Sequence, residues 1–139
     1  MPDQTFFMIK PDGVKRKLVG EILVKLEKKG LNIVAMKMLQ MTEEMAELHY
    51  QEHKGRKFYK ELIRFITSGP VVAMVLEGEG IVEVIRNIAG KTDPKEAGCG
   101  TIRGEYAYCI SENVVHTSDS IESAKREIDV FFKKTEIIV

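Results

Sequence analysis

A chain of 139 residues, 44% hydrophobic and 30% charged, is expected to fold as a single domain over residues 1–139, burying about two-thirds of its unfolded surface. Its 21 Lys plus Arg balance 21 Asp plus Glu, which argues against a nucleic-acid or anionic-membrane partner, since those draw on a basic excess, but leaves room for a small basic pocket. Cys99 and Cys109 share no motif spacing and read as free thiols; no apolar run approaches the roughly 18 residues of a membrane span, and the start Pro2-Asp3-Gln4 lacks a secretory pattern, so a cytoplasmic setting is expected.

Thr5 to Ile9 is rich in aromatic and β-branched residues and predicts a strand. Lys10-Pro11-Asp12-Gly13 follows in turn order, placing Lys10 at a strand end, where a plain surface lysine is the ordinary reading. Val19, Ile22, Leu23 and Leu26 recur at helical spacing, Glu21 stands four before Lys25, and Gly30 after a lysine pair marks the stop. Ile33 to Leu39 predicts a second strand, joined to the first by a parallel crossover or by the same unit with another strand between.

Thr42 suits the cap of a helix to about His53. His49 and His53 stand four apart on it, as in zinc peptidases, but Tyr50 follows His49 where those need glutamate. Ordinary surface or packing histidines are therefore expected there, and no metal site. A further helix, Phe58 to Ile66, has Phe58, Leu62, Phe65 and Ile66 as its apolar stripe and stops at Ser68-Gly69-Pro70. Val71 to Leu76 predicts a third, central strand. Ile81, Val84, Ile85 and Ile88 define the buried face of a helix over Ile81 to Ala89, with Arg86 opposite.

Gly90 to Gly100 is an irregular loop of a length that often carries function. Thr101 to Gly104 reads as a turn, and Glu105 to Ile110 as a fourth strand with imperfect alternation. A polar loop with Asn113 and His116 follows. Asp119 with Glu122 resembles a capping box for a last helix with the stripe Ile121, Ala124, Ile128 and Phe131. Glu127 falls beside that stripe, and a partly buried carboxylate needs a partner, for which His116 is the candidate. The tail Lys133 to Val139 is suited to packing against the body or a neighbouring subunit. This order fits an α+β βαββαβ-like sandwich, with helices covering one face of one sheet and additional helices, or a small open α/β sheet.

Lys10, Tyr50, Arg86, Thr92, Arg103, Asn113 and His116 each stand at a strand end, on a helix face away from its stripe, or in a loop. If they converge, the cations suit phosphate oxygens. Neutral imidazole is a competent nucleophile near pH 7, provided its other nitrogen is held as a donor, a task that suits Glu127. The cations would then stabilise charge on a transferring phosphoryl group. There is no P-loop and no Gly-x-Gly-x-x-Gly. Tyr106 and Tyr108 lack the surrounding motif of an RNA-binding strand. On these residues alone, a small-molecule-binding regulatory domain competes with phosphoryl chemistry.

Asn113-Val114-Val115-His116-x-Ser118-Asp119-Ser120 closely resembles the active-site signature of nucleoside diphosphate kinases. Met8 to Val14, Leu18 to Ile22, Phe65 to Val75, and Pro94 with Gly100 to Gly104 also match, in order, so the resemblance covers nearly the whole chain. It implies a ferredoxin-like core with a four-stranded antiparallel sheet. It also implies ping-pong transfer of the γ-phosphate of a nucleoside triphosphate, typically ATP, to a nucleoside diphosphate through a phosphohistidine at His116. Mg2+ would be bound mainly through the nucleotide phosphates, and the chain would form a homo-oligomer, expected to be a hexamer. In this family the matching histidine attacks through Nδ1, and a glutamate matching Glu127 contacts the Nδ1 side and orients the ring with Ser118.

The same resemblance assigns Lys10, Tyr50, Arg86, Thr92, Arg103 and Asn113 to phosphates and ribose. Phe58 matches the aromatic stacked on the base and Ile110 the apolar residue opposite; such stacking tolerates any base. The plain reading of Phe58 is a core residue of its helix. Thr117 stands where the family usually has glycine, and would be strained at a positive φ, crowd the incoming phosphate or donate to it. Lys57 and Cys99 replace prolines common in the family. Two readings follow: a phosphotransferase, or a nucleotide-binding regulatory or scaffold homologue disabled by Thr117.

Overall fold

The structure, a computed structural model, describes residues 2–138. Four strands, β1 (Asp3–Ile9), β2 (Asn32–Leu39), β3 (Val71–Gly78) and β4 (Val115–Thr117), form one sheet in the order β2-β3-β1-β4. Each neighbouring pair is antiparallel, so β3 is the strand inserted between β1 and β2. This is the βαββαβ order of a ferredoxin-like α+β fold, elaborated by extra helices. The helices are α1 (Pro11–Lys15), α2 (Val19–Lys28), α3 (Glu43–His49), α4 (Tyr59–Ile66), α5 (Ile81–Ala89), α6 (Ile102–Tyr106) and α7 (Ile121–Phe131).

The sheet is covered on both faces, not one. Phe7 and Ile9 of β1 pack with Ile22 and Leu26 of α2 and Ile81, Ile85 and Ala89 of α5. Phe6 and Met8 point the other way, against Ala46 of α3, Ile63 and Ile66 of α4, and Ile128 and Phe131 of α7. The reason lies in the strands: β1 and β3 are apolar without alternation, and Phe6, Phe7, Met8 and Ile9 are all fully buried. A strand apolar on both sides needs cover on both.

Several local expectations change. Lys10-Pro11-Asp12-Gly13 is not a free turn but the entry to α1, with Pro11 in the first helical turn, where its missing N–H is no loss. Glu105 to Ile110 is not the fourth strand, and Thr101 to Gly104 is not a turn. Thr101 caps α6 by accepting from Gly104 N–H at 3.0 Å, and Ile102 is fully buried. Tyr106 ends α6 and packs against the core from there, while Tyr108 is 89% exposed. The strand forms instead at Val115, which is fully buried beside Ile9. Ser120, not Asp119, caps α7, accepting from Ser123 N–H at 3.1 Å. Ile121 therefore falls at the exposed first position of α7 rather than in its stripe.

The tail returns to the body. Ile138 N–H donates to Val34 O at 2.9 Å and Lys37 pairs with Glu136 at 3.1 Å, both on β2; Val139 lies outside the described residues. No helix among the described residues is long and apolar enough to cross a membrane.

Gly90 closes α5 at φ 87, and a Cβ there would lie 2.8 Å from Thr101 Cβ. Gly90→Ala combines left-handed strain with overpacking and is expected to lower the unfolding free energy by about 2–4 kcal/mol. A urea midpoint equal to that of the unaltered chain would show the contact to be slack.

Candidate active site

The end of β1 and the start of β4 are clamped together. Lys10 N–H donates to Val114 O at 2.9 Å, and Val114 N–H donates to Asp12 Oδ2 at 3.0 Å. Val114 sits between these bonds at φ 74, a left-handed conformation that is strained for a β-branched residue. Such strain persists only where the surroundings over-determine it, and often marks function. On its flanks hang two of the expected site residues: Lys10 Nζ donates to Asn113 Oδ1 at 2.9 Å, and Asn113 Nδ2 donates to Thr92 O at 3.1 Å, tying in the 90–100 loop.

Arg103, buried on α6, donates to Gly90 O and Val115 O, both at 2.8 Å. It fastens the end of α5 to β4, while its charge stays beside the cleft. Burial holds the Arg103 guanidinium below its ordinary pKa, with Arg86 adding to the effect. The Lys10 amino group is pushed down to about 8, chiefly by burial, then by Arg103, with Asp12 opposing.

His116 lies on β4 itself, not in a loop. It pairs with Met8, which places the imidazole on the Phe6 face, with ring centroids 6.0 Å apart. The helix α7 covers that face, so Glu127 approaches from inside: its Oε2 lies 3.1 Å from His116 Nε2, in ion-pair range though not aligned as a hydrogen bond. Ser118 Oγ donates to Glu127 Oε1 at 2.6 Å and fixes the carboxylate, and Arg126 Nη2 stands 3.8 Å from Oε2. The expected contact on the Nδ1 side is thus corrected: Glu127 takes the buried ring edge, Nε2. Nδ1 has no hydrogen-bond partner among the described residues.

One cleft of about 700 Å³ is lined by Lys10, Tyr50, Arg86, Thr92, Arg103, Asn113 and His116, the full set singled out from the sequence. Arg86 enters from the exposed face of α5, and Ile110 stands at the rim. Burial pushes the Tyr50 phenol pKa up, and Glu127 adds to the shift. Ser118 is buried behind Glu127 rather than in the lining. Phe58 is not a core residue: it is 63% exposed at the N-cap of α4. It stands outside the lining, four residues before Leu62, which does line the cleft.

His49, expected to be an ordinary surface or packing histidine, borders the cleft. At the end of α3 it is 3% exposed, and its ring meets that of His116 edge-on, with centroids 4.6 Å apart. Neither of its nitrogens has a hydrogen-bond partner. Burial, followed by the His116 and Lys10 charges, holds its pKa well below the ordinary value. Helical periodicity marks it as packing, and only the proximity of β4 shows what it packs against. Thr117 pairs with Phe7 in extended strand, on the opposite face from the imidazole by strand alternation, although it borders the cleft. The positive φ falls at Val114 instead, so the threonine carries no such strain.

A ferredoxin-like α+β fold that gathers three cations around a half-buried histidine defines a protein built to handle anionic groups. The sequence matches the family model described as nucleoside diphosphate kinase over residues 3–137. It is 58% identical over 134 residues to the nucleoside diphosphate kinase of Saccharolobus solfataricus, covering 96% of this chain and 97% of that one. It is 55% identical over 136 residues to that of Kosmotoga olearia, covering 98% and 92%. The solved structure of a halophilic nucleoside diphosphate kinase from Halobacterium salinarum in complex with CDP superposes with a TM-score of 0.97 at 43% identity, covering 100% of this chain and 93% of that one. The chain belongs to the nucleoside diphosphate kinase family.

Removing the clamp should disturb both stability and the cleft. Asp12→Ala leaves the buried Val114 N–H unpaired and is expected to cost about 2–3 kcal/mol, with Asp12→Asn restoring part of it because its amide oxygen still accepts. Urea unfolding of the two variants checks this; equal loss in both would assign the effect to charge rather than to the acceptor.

Proposed function

We propose that this chain transfers the γ-phosphate of a nucleoside triphosphate, typically ATP, to a nucleoside diphosphate in two half-reactions through a phosphohistidine on His116. The observation that carries the reading is the division of the ring: Nε2 faces the Glu127 carboxylate, which is fixed by Ser118, while Nδ1 stays unpartnered in a cleft lined by Lys10, Arg86 and Arg103. In the first half-reaction the Nδ1 lone pair attacks the γ-phosphorus, and the bond from that phosphorus to the bridging oxygen breaks. The leaving diphosphate takes the electron pair. The proton on Nε2 stays toward Glu127, which offsets the positive charge the ring acquires. In the second, a terminal oxygen of a new diphosphate attacks the phosphohistidine and the ring is restored.

Lys10, Arg86 and Arg103 would neutralise the phosphates, with Tyr50 and Thr92 as further donors and Asn113 with Lys10 reaching the sugar hydroxyls. Phe58 would stack on the base at the mouth, opposite Ile110; their exposure supports this, since neither is used by the core. Mg2+ would be held by the nucleotide's phosphates, where it supplies charge neutralisation. The cleft fits that role, because its lining of Lys10, Arg86 and Arg103 suits a ligand whose own phosphates carry the metal. The complex of the Halobacterium salinarum relative with CDP supports a nucleoside diphosphate as the bound species. A homo-oligomer, expected to be a hexamer in the cytoplasm, is supported by the edge strand β2, whose Met36 and Met38 are exposed. The alternative of an inactive scaffold homologue rested on Thr117; the extended backbone at that position removes the strain argument for it, while the side chain still borders the cleft.

Incubation with ATP and Mg2+ is expected to add one phosphate per chain, seen by intact mass at neutral pH and mapped to the His116 peptide. It should be lost in acid and discharged by a nucleoside diphosphate. His116→Ala should bind nucleotide without acquiring it. Bound nucleotide with no labile phosphate on the unaltered chain would favour the scaffold.

The lowered Lys10 pKa sets a pH dependence. A base whose folded pKa is depressed to about 8 loses its charge there, and phosphate binding favours the charged form. Affinity for ATP is therefore expected to fall as pH rises through about 8, by up to about tenfold per unit, with proton uptake on binding. Calorimetry at pH 9 in two buffers of different ionisation enthalpy measures that uptake. Lys10→Met should abolish it, and uptake unchanged in that variant would rule out Lys10 as the source.

A further inference from the structure

The group that the phosphoryl chemistry leaves unused is His49, with both ring nitrogens buried and unpartnered. It shares a small space with His116 Nε2, also buried and without an aligned hydrogen bond, and with the Glu127 carboxylate. One donor atom from each of the three lies within 4.8 Å of the others. We propose that His49, His116 and Glu127 form a binding site for a Zn2+-class transition-metal ion in the nucleotide-free protein.

The donor set has the right chemistry. Two imidazoles and one carboxylate are borderline ligands that zinc and cobalt accept and that magnesium, a hard oxygen-seeking ion, does not favour. The geometry is close to what such an ion needs. With metal–ligand distances of about 2.0–2.2 Å, the donors around a tetrahedral ion stand roughly 3.3 Å apart. His116 Nε2 and Glu127 Oε2 are already 3.1 Å apart. The third donor has to close by roughly 1.5 Å at most, a displacement within reach of rotation about the His49 side chain. Three protein ligands leave a fourth position for water, on the side where His49, His116 and Glu127 border the open cleft. Lys10 and Arg126 stand near and oppose a dication, so the site is weaker than a structural zinc centre and is reversible.

Occupancy would switch the ring. A neutral imidazole carries one proton and one free lone pair. In the proposed phosphoryl transfer the proton is on Nε2, facing Glu127, and the lone pair is on Nδ1. A metal on Nε2 takes the lone pair there, and the single proton moves through solvent to Nδ1. Nδ1 is then a donor and no longer a nucleophile, and Glu127 is drawn from its task as well. The metal would act as an inhibitor without touching the attacking nitrogen. This consequence rests on the phosphohistidine reading; the metal site itself does not.

The test starts with nucleotide-free protein and Co2+ alone. One saturable Co2+ per chain is expected, with the strong visible absorption of a four-coordinate ion, displaced by Zn2+ and removed by chelator. His49→Phe keeps a ring for packing and removes both donors; it should weaken Co2+ binding at least tenfold with an unchanged circular dichroism spectrum. Because that variant changes a buried residue, crystals of the unaltered chain soaked in Zn2+ provide a second reading. An anomalous peak between His49, His116 and Glu127 is expected. No saturable Co2+ band, a band undiminished in a folded His49→Phe, or an anomalous peak elsewhere with none at this triad would overturn the site. Separately, protein loaded with Zn2+ and freed of excess should fail to acquire the acid-labile phosphate and regain it after chelation. Metal binding without that loss would leave the site standing and count against the phosphohistidine on Nδ1.

Discussion

The hydrogen bond from Val114 N–H to the Asp12 carboxylate is the constraint on which the cleft depends. A β-branched residue at φ 74 carries about 1–3 kcal/mol of strain. A buried bond to a carboxylate contributes about 1.5–3 kcal/mol, and the Lys10 N–H to Val114 O bond adds to it. The clamp therefore outweighs the strain, though not by much. Its position explains its importance. Lys10 is two residues before Asp12, Asn113 is one before Val114 and His116 two after it, so one short backbone crossing sets the origin of a cation, an amide and an imidazole.

Around that crossing, a chain of zero formal charge concentrates its cations. Two unit charges 4 Å apart interact by about 4 kcal/mol at an effective dielectric of 20, so gathering Lys10, Arg86 and Arg103 works against the fold until an anion arrives. Buried Arg103 and half-buried Lys10 meet the problem differently. Arg103 cannot shed its proton, and it is held by two backbone carbonyls. Lys10 can lose its proton, and its pKa is pushed down to about 8, chiefly by burial and then by the Arg103 charge. An incoming phosphate relieves both. The cleft is thus organised for a ligand that brings negative charge, and part of the binding energy is stored in the unliganded repulsion.

Much of this was legible in the sequence, and the failures have a common cause. The strands β1 and β3 and the helices α2 and α5 have long, strong patterns, and they stand where those patterns put them. The strand β4 has only Val115, His116 and Thr117; it exists because β1 offers a partner, which no local propensity records. The segment through Tyr106 and Tyr108 has the composition of a strand but no neighbour to pair with. The expectation of cover on one face likewise gave way to the unbroken apolar runs of Phe6 to Ile9 and Val71 to Leu76. At the site, Lys10, Tyr50, Arg86, Thr92, Arg103, Asn113 and His116 were singled out from the sequence and share the cleft, whereas Phe58 stands outside its lining and residues such as His49 and Arg126 take their meaning only from across the fold. The choice of Nε2 by Glu127 was equally beyond the motif, because it depends on which face α7 covers.

Thr117 shows the same logic in reverse. Read as an isolated departure, it suggests damage beside the proposed nucleophile. In the strand it follows a period of two: Met8 faces His116 and Phe7 faces Thr117. The imidazole therefore belongs to the face of Phe6 and α7, and the threonine side chain to the other. Turning the ring away from Glu127 by a backbone slip would shift β4 by one residue and expose the wrong set of side chains on both faces. The fully buried Ile9 and Val115 pair resists that shift. What aims the histidine is strand register against the core, which tolerates a branched neighbour. The backbone freedom that glycine supplies is not required at residue 117, because the unusual conformation is held three residues earlier, at Val114.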